Sequence, residues 1–199
     1  MAGPEVHIDV ARQQLHLMLD GAILRTYPVS TALNGVGEHN GSGCTPRGLH
    51  RVRAKVGAGC APGTVFVGRR ATGEVYSPEL AAAHPGRDWI LSRILWLTGC
   101  EPGVNRGGAV DTLRRYIYLH GCPDDCAMGV PLSHGCVRLA NADVIDLFDR
   151  VVVGTRVTIH STQAPGATEG IAPEPAPGRA DDFSERPQRA DGKANGIRR

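Results

Sequence analysis

At 199 residues, 41% of them hydrophobic and 21% charged, the chain is long enough for one domain with a full hydrophobic core and short for two. Its formal net charge of +2 comes without a basic run, and no stretch of about 18 apolar residues occurs, so neither a nucleic-acid partner nor a membrane span is indicated. The opening residues lack the basic start and apolar run of a secretory signal, which points to the cytoplasm, or to the periplasm if the true start lies upstream.

Residues 6–10, 15–19 and 22–27 alternate apolar and polar side chains with period two and read as strands, with Asp20-Gly21 as a hairpin turn. Residues 28–31 are expected to continue as strand, and the glycine-rich residues 34–43 form a loop. Strand spacing returns at 48–56, with Leu49, Arg51, Arg53 and Lys55 on one side and His50, Val52, Ala54 and Val56 on the other. Residues 64–68 make another short β-type run. Residues 89–97 are nearly all apolar and fit a helix or a buried strand, and their β-branched and aromatic content tips the reading to strand. Residues 115–120 read as a strand ended by Gly121. Val144, Leu147, Phe148 and Val151 then fall at helical spacing, with Asn141 or Asp143 as the expected cap and Gly154 as the stop. Residues 156–160 close the domain as a strand. The expectation is a mainly β domain with a few short helices over residues 1–162. Residues 163–199, poor in large apolar side chains and rich in Pro, Ala, Gly and charges, read as a disordered tail.

Three cysteines (Cys122, Cys126, Cys136) and two histidines (His120, His134) fall within seventeen residues. Three chemistries fit that cluster. As a zinc site it would draw on all five side chains, although Cys122-x3-Cys126 matches structural zinc spacing only loosely. As a disulfide, Cys122–Cys126 would need an oxidising compartment, whereas a cytosolic chain keeps its thiols reduced. As a nucleophilic site, Cys136 attacks and His120 serves as its general base. Cys136 follows a glycine and stands a few residues ahead of the predicted helix, where free N–H groups and the helix dipole would favour a thiolate and a developing oxyanion. His120 closes a predicted strand and reaches Cys136 across the fold.

His120-Gly121, followed by Ser133-His134-Gly135-Cys136-Val137-Arg138, resembles the signature of the L,D-transpeptidase catalytic domain of the YkuD type. Tyr27-Pro-Val-Ser-Thr31 is similar to the family's strand before its glycine turn, and Thr45-Pro-Arg-Gly48 to its T-P-x-G element. The similarity runs from about residue 6 to residue 159. It implies a β-sandwich or barrel-like domain without a cofactor, acting on peptidoglycan stem tetrapeptides or muropeptides by acyl transfer. Cys136 would attack the carbonyl joining the L-centre of diaminopimelate to the terminal D-Ala. His120 would move the protons, with the Gly121 carbonyl orienting its ring. The N–H groups of Gly135 and Cys136 would hold the oxyanion. Ser133 and His134 would shape the pocket, and Arg138 would bind a substrate carboxylate or form a structural salt bridge. The favoured acceptor is water, which makes the enzyme an L,D-carboxypeptidase of recycled stems, and an amine acceptor would give 3-3 cross-links. A zinc-binding module or an inactive stem-peptide binder are the readings of another class. Two positions depart from the family pattern: Ala32 stands where Gly usually follows Ser-Thr, and Cys122 where Thr usually follows His-Gly.

Overall fold

Asp20 and Gly21, both in the left-handed region at φ 49° and 82°, turn the chain between its second and third strands, as a two-residue hairpin with a primed turn requires. In the computed structural model, which describes residues 3–161, ten strands follow in chain order. They are Glu5–Asp9 (β1), Gln14–Leu19 (β2), Ala22–Pro28 (β3), Gly48–Val56 (β4), Thr64–Val67 (β5), Arg70–Val75 (β6), Ile90–Gly99 (β7), Tyr118–Gly121 (β8), Val137–Leu139 (β9) and Arg156–His160 (β10). Two helices, Pro78–Ala83 (α1) and Asn141–Arg150 (α2), complete the regular structure together with a 3-10 turn at Gly108–Val110. The expected tail from residue 163 lies outside the described residues.

The strands form one mixed sheet in the order β3-β2-β1-β10-β4-β7-β5-β6, with β8 beside β7 and β9 beside β8. Most neighbours are antiparallel; β1 with β10 and β8 with β9 are the parallel pairs. The long β7 organises the site. β4 pairs with it from Ile94 to Gly99, β5 at Ile90 and Leu91, and β8 from Leu91 to Trp96. The apolar run that fitted either helix or strand is thus a strand flanked by three others, and its near-continuous burial explains why no period shows in it.

The main core joins Val6, Ile8, Leu15 and Leu17 of the first hairpin to Leu95 and Leu97 of β7, Leu119 of β8 and Val144, Leu147 and Phe148 of α2. A smaller cluster of Phe66, Ile94 and Tyr118 packs with Trp96 and Cys136. Cys136 therefore packs against the smaller cluster and not in the main core.

Several local expectations are corrected. Past Pro28 the chain leaves the strand and makes only isolated bridges, Ser30 with Arg138 and Ala32 with Ser133. β8 begins at Tyr118 and not at Arg115, because Tyr116 adopts a left-handed φ of 55°. The cap of α2 is Ala140, whose side chain has nothing to donate or accept. Asn141 instead turns its amide to Cys122 O at 2.9 Å and Asp124 Oδ1 at 3.0 Å, and its Oδ1 accepts from Ser92 Oγ at 2.5 Å. Strand β9 also stands between Cys136 and α2, so the helix dipole does not act directly on the sulfur.

Candidate active site

Two parallel strands place Cys136 and His120. Leu119 lies beside Val137 and His120 beside Arg138, so Cys136, one residue ahead of β9, comes level with Tyr118. The Tyr118 N–H donates to Cys136 Sγ at 3.3 Å, and the thiol donates to Tyr116 O at 3.5 Å. Tyr118 and His120 project from the same face of β8, roughly 6.6 Å apart along the strand at about 3.3 Å per residue. The imidazole therefore stands one side-chain position beyond the sulfur.

His120 is 1% exposed, and its Nδ1 meets Gly121 O at 2.9 Å. A carbonyl only accepts, so Nδ1 carries the proton and Nε2 keeps its lone pair. Nε2 makes no hydrogen bond among the described residues. Burial holds the imidazole below its ordinary value, against the opposing pull of the Gly121 carbonyl, so the ring is neutral at neutral pH. Gly121 itself has no room for a side chain: a Cβ would come within 2.7 Å of both Leu91 O and Asn141 Oδ1. Burial likewise pushes the Cys136 thiol up to about 12, although the Tyr118 N–H pulls the other way. The resting sulfur is therefore a thiol.

The turn before Cys136 is held from below. Gly135 sits at φ 134°, and a Cβ there would approach Ile117 Cδ1 to 3.2 Å and Cys44 O to 3.3 Å. Its carbonyl accepts the buried Thr45 hydroxyl at 3.0 Å, and Thr45 Oγ1 in turn accepts the Ala32 N–H at 3.0 Å. The Gly135 N–H donates to Ser133 Oγ at 3.2 Å, and that hydroxyl donates to Cys136 O at 2.5 Å. The Cys136 N–H has no acceptor among the described residues. Arg115 clamps the loop on the other side, reaching Gly37 O at 3.0 Å, Glu38 O at 2.8 Å and Cys44 O at 2.5 Å.

Around the pair, Arg138 forms an ion pair with Asp88 at 2.8 Å and also reaches Leu132 O at 3.3 Å. His134 is exposed and makes no hydrogen bond among the described residues. Trp96 stacks on Tyr116 and meets Tyr118 edge-on; Arg69 lies over Trp96 at 4.5 Å and donates to Tyr118 OH at 2.9 Å. Cys122 is buried with its thiol toward Leu139 O at 3.5 Å. Burial, reinforced by the neighbouring Cys126, drives that thiol well above its ordinary value. All six cysteines are free thiols, and among the described residues no group of three His, Cys, Asp or Glu is placed to hold a metal ion.

The family model of the YkuD L,D-transpeptidase catalytic domain matches residues 3–159. The chain belongs to the L,D-transpeptidase catalytic domain family. "Probable L,D-transpeptidase YbiS" of Escherichia coli is 42% identical over 55 residues, 28% of this chain and 18% of that protein. "Putative L,D-transpeptidase YkuD" of Bacillus subtilis is 39% identical over 61 residues, 30% of this chain and 37% of that protein. The matches thus span well under half the length of these curated relatives. Among solved structures, an L,D-transpeptidase from Xylanimonas cellulosilytica is 22% identical, with 80% of this chain and 61% of that chain covered and a TM-score of 0.47. L,D-transpeptidase 3 from Mycobacterium tuberculosis, in complex with a faropenem-derived adduct, is 18% identical with the same coverage and a TM-score of 0.49.

In this L,D-transpeptidase domain the fold brings together most of the residues singled out in the sequence. His120, Gly121, Ser133, Gly135, Cys136 and Arg138 converge on the β8–β9 pair, while His134 makes no hydrogen bond among the described residues. Sequence reasoning missed Arg115, Asp88 and the aromatic wall, and it gave Asn141 only a capping role. Arg115 had been absorbed into a strand, and the others take their partners from segments far along the chain. Thr45 was visible in Thr45-Pro-Arg-Gly48, but its bond to Gly135 was not. No helix among the described residues is long and apolar enough to cross a membrane.

Proposed function

We propose that this L,D-transpeptidase domain is a cysteine acyltransferase cutting the bond between the L-centre of diaminopimelate and the terminal D-Ala of peptidoglycan stem tetrapeptides. The observation that carries the reading is the fixed tautomer of His120: its Nδ1 is bound to Gly121 O, which leaves a basic Nε2 one strand position from the Cys136 thiol. The thiol turns from Tyr116 O to Nε2 and gives up its proton there, and the sulfur attacks the carbonyl. The Cys136 N–H binds the oxyanion; that of Gly135 joins it by exchanging the Ser133 hydroxyl for the new charge. The imidazolium then returns the proton to the departing D-Ala amine, leaving a thioester on Cys136.

Water, deprotonated by the same His120, resolves the thioester and releases a tripeptide, which makes the chain an L,D-carboxypeptidase of cytoplasmic muropeptides. Water needs no acceptor-binding groups beyond those already named. With a stem amine as acceptor and a periplasmic setting, the same acyl-enzyme would give a 3-3 cross-link. Arg138 exchanges Asp88 for a substrate carboxylate, a swap open to a guanidinium whose present partner is 53% exposed. Ser133 and His134 border the acyl pocket. Residues 1–162 carry this chemistry.

The test is incubation with a disaccharide tetrapeptide, with and without a free D-amino acid, and mass analysis of the products. Tripeptide as the main product supports hydrolysis, exchange of the terminal residue supports transfer, and no reaction refutes both.

A further inference from the structure

Arg51 and Arg53 of β4, residues 98–100 at the end of β7, and Arg106, Asp111, Leu113 and Arg114 beyond it enclose an open cavity of about 620 Å³. Four arginines face one carboxylate, a formal lining charge of +3 (four minus one). The two Asp111 oxygens are already committed to backbone, accepting the N–H groups of Gly107 at 2.8 Å and Arg114 at 3.0 Å. Among the described residues none of the four guanidiniums forms an ion pair. Only Arg51 makes a side-chain hydrogen bond, to Gly154 O at 3.3 Å. Elsewhere Arg12, Arg47, Arg87, Arg138, Arg150 and Arg156 each meet a carboxylate, and Arg69, Arg93 and Arg115 have hydrogen-bond acceptors or a ring instead.

The alternation of β4 produces this cluster. His50 and Val52 turn into the protein, Arg51 and Arg53 turn out, and Thr98 stands beside Arg51 in register. Gathering unpaired like charges in one concavity raises the free energy of the empty site, and a bound counter-anion relieves it.

We propose that this cavity binds a phosphate-bearing anion of two or more charges. A single carboxylate offsets one guanidinium, whereas a phosphomonoester or pyrophosphate brings at least two charges and enough oxygens to engage two planar forks at once. The volume lies within the roughly 300–1,000 Å³ usual for small-molecule sites. No lining residue hydrogen-bonds to Cys136 or His120, so the site is separate from the acyl-transfer pair and does not depend on its assignment. Its Leu113 carbonyl accepts the Trp96 indole N–H at 3.2 Å, and Trp96 packs in the same cluster as Cys136.

Calorimetric titration of the full chain with inorganic pyrophosphate at low and at physiological salt tests the proposal, with inorganic phosphate and adenosine diphosphate as parallel arms. One-to-one saturation is expected, weaker at the higher salt. Arg53→Gln and Arg106→Gln should each weaken it by about tenfold or more, since each removes a charge-assisted bond. Both side chains are exposed and unbonded, so the variants should melt with wild-type cooperativity and acylate Cys136 at the wild-type rate. Saturation by pyrophosphate assigns the site to the phosphate group itself, and saturation by adenosine diphosphate alone assigns it to a nucleotide. No saturation by about 10 mM ligand, far weaker than a specific site, would overturn the proposal. So would undiminished binding in both variants, or citrate binding as tightly as pyrophosphate.

Discussion

Thr45→Val changes one oxygen to one methyl group at a fully buried position, and the structure says what that oxygen does. It donates to Gly135 O at 3.0 Å and accepts from the Ala32 N–H at 3.0 Å. Valine fills the same space but leaves a buried carbonyl and a buried N–H without partners. Each such orphan costs about 1–3 kcal/mol, so the variant should lose roughly 2–6 kcal/mol, a large share of the ~5–15 kcal/mol typical of a domain. Thr45→Ser keeps the hydroxyl and gives up one buried methyl, at about 1 kcal/mol. Equilibrium urea denaturation measures both, and the midpoints should move while the slope stays constant. Because Gly135 immediately precedes Cys136, the proposed nucleophile, Thr45→Val should also slow acylation of the fraction that remains folded. A valine variant within about 0.5 kcal/mol of wild type, or a serine variant as damaged as the valine, would show that the Thr45 bridge does not hold the turn.

Three other perturbations follow from the same geometry. Burial pushes His50 down to about 4, so between the ordinary value of about 6.5 and that point the unfolded chain takes a proton that the folded chain refuses. Stability should therefore fall by about 3 kcal/mol as pH drops through that window, and His50→Gln should flatten the slope; an unchanged slope would assign the effect elsewhere. Gly121→Ala places a methyl against Leu91 O and Asn141 Oδ1, which should cost about 1–3 kcal/mol and displace the carbonyl that orients His120, read as a loss of acylation rate beyond the loss of folded protein. With its thiol held at about 12, Cys136 should carry only about 10⁻⁵ thiolate at pH 7, so iodoacetamide should alkylate it slowly there and faster with each rise in pH. Rapid, pH-independent alkylation near pH 6 would indicate a preformed thiolate pair with His120 instead.

The parts of the fold that could be read in the sequence are those where burial is one-sided. The first hairpin and β4 show their faces because one side meets the core and the other meets water, and Arg51 and Arg53 fall where alternation puts them. β9 was not legible because three residues are too few to show a period, and the late start of β8 depends on the left-handed backbone of Tyr116. Asn141 looked like a helix cap because its residue type favours that role, yet the cysteine turn and Ser92 compete for its amide and take it. In the site, His120 and Cys136 stood out by residue type and spacing. Their supports did not: the bond from Thr45 to Gly135 and the clamp of Arg115 on Cys44 span 90 and 71 residues of chain, and no local pattern announces such a partner.

The central claim is that Cys136 carries the acyl group and His120 Nε2 takes up and returns the protons of its transfer. Intact-protein mass spectrometry of the chain quenched during turnover of a disaccharide tetrapeptide tests this directly, combined with peptide mapping of all six cysteines. The account predicts a mass increase equal to the substrate minus D-Ala, located on Cys136, absent in Cys136→Ala and strongly slowed in His120→Gln. An acyl group on Cys122 or Cys126, or an undiminished adduct in His120→Gln, would contradict it.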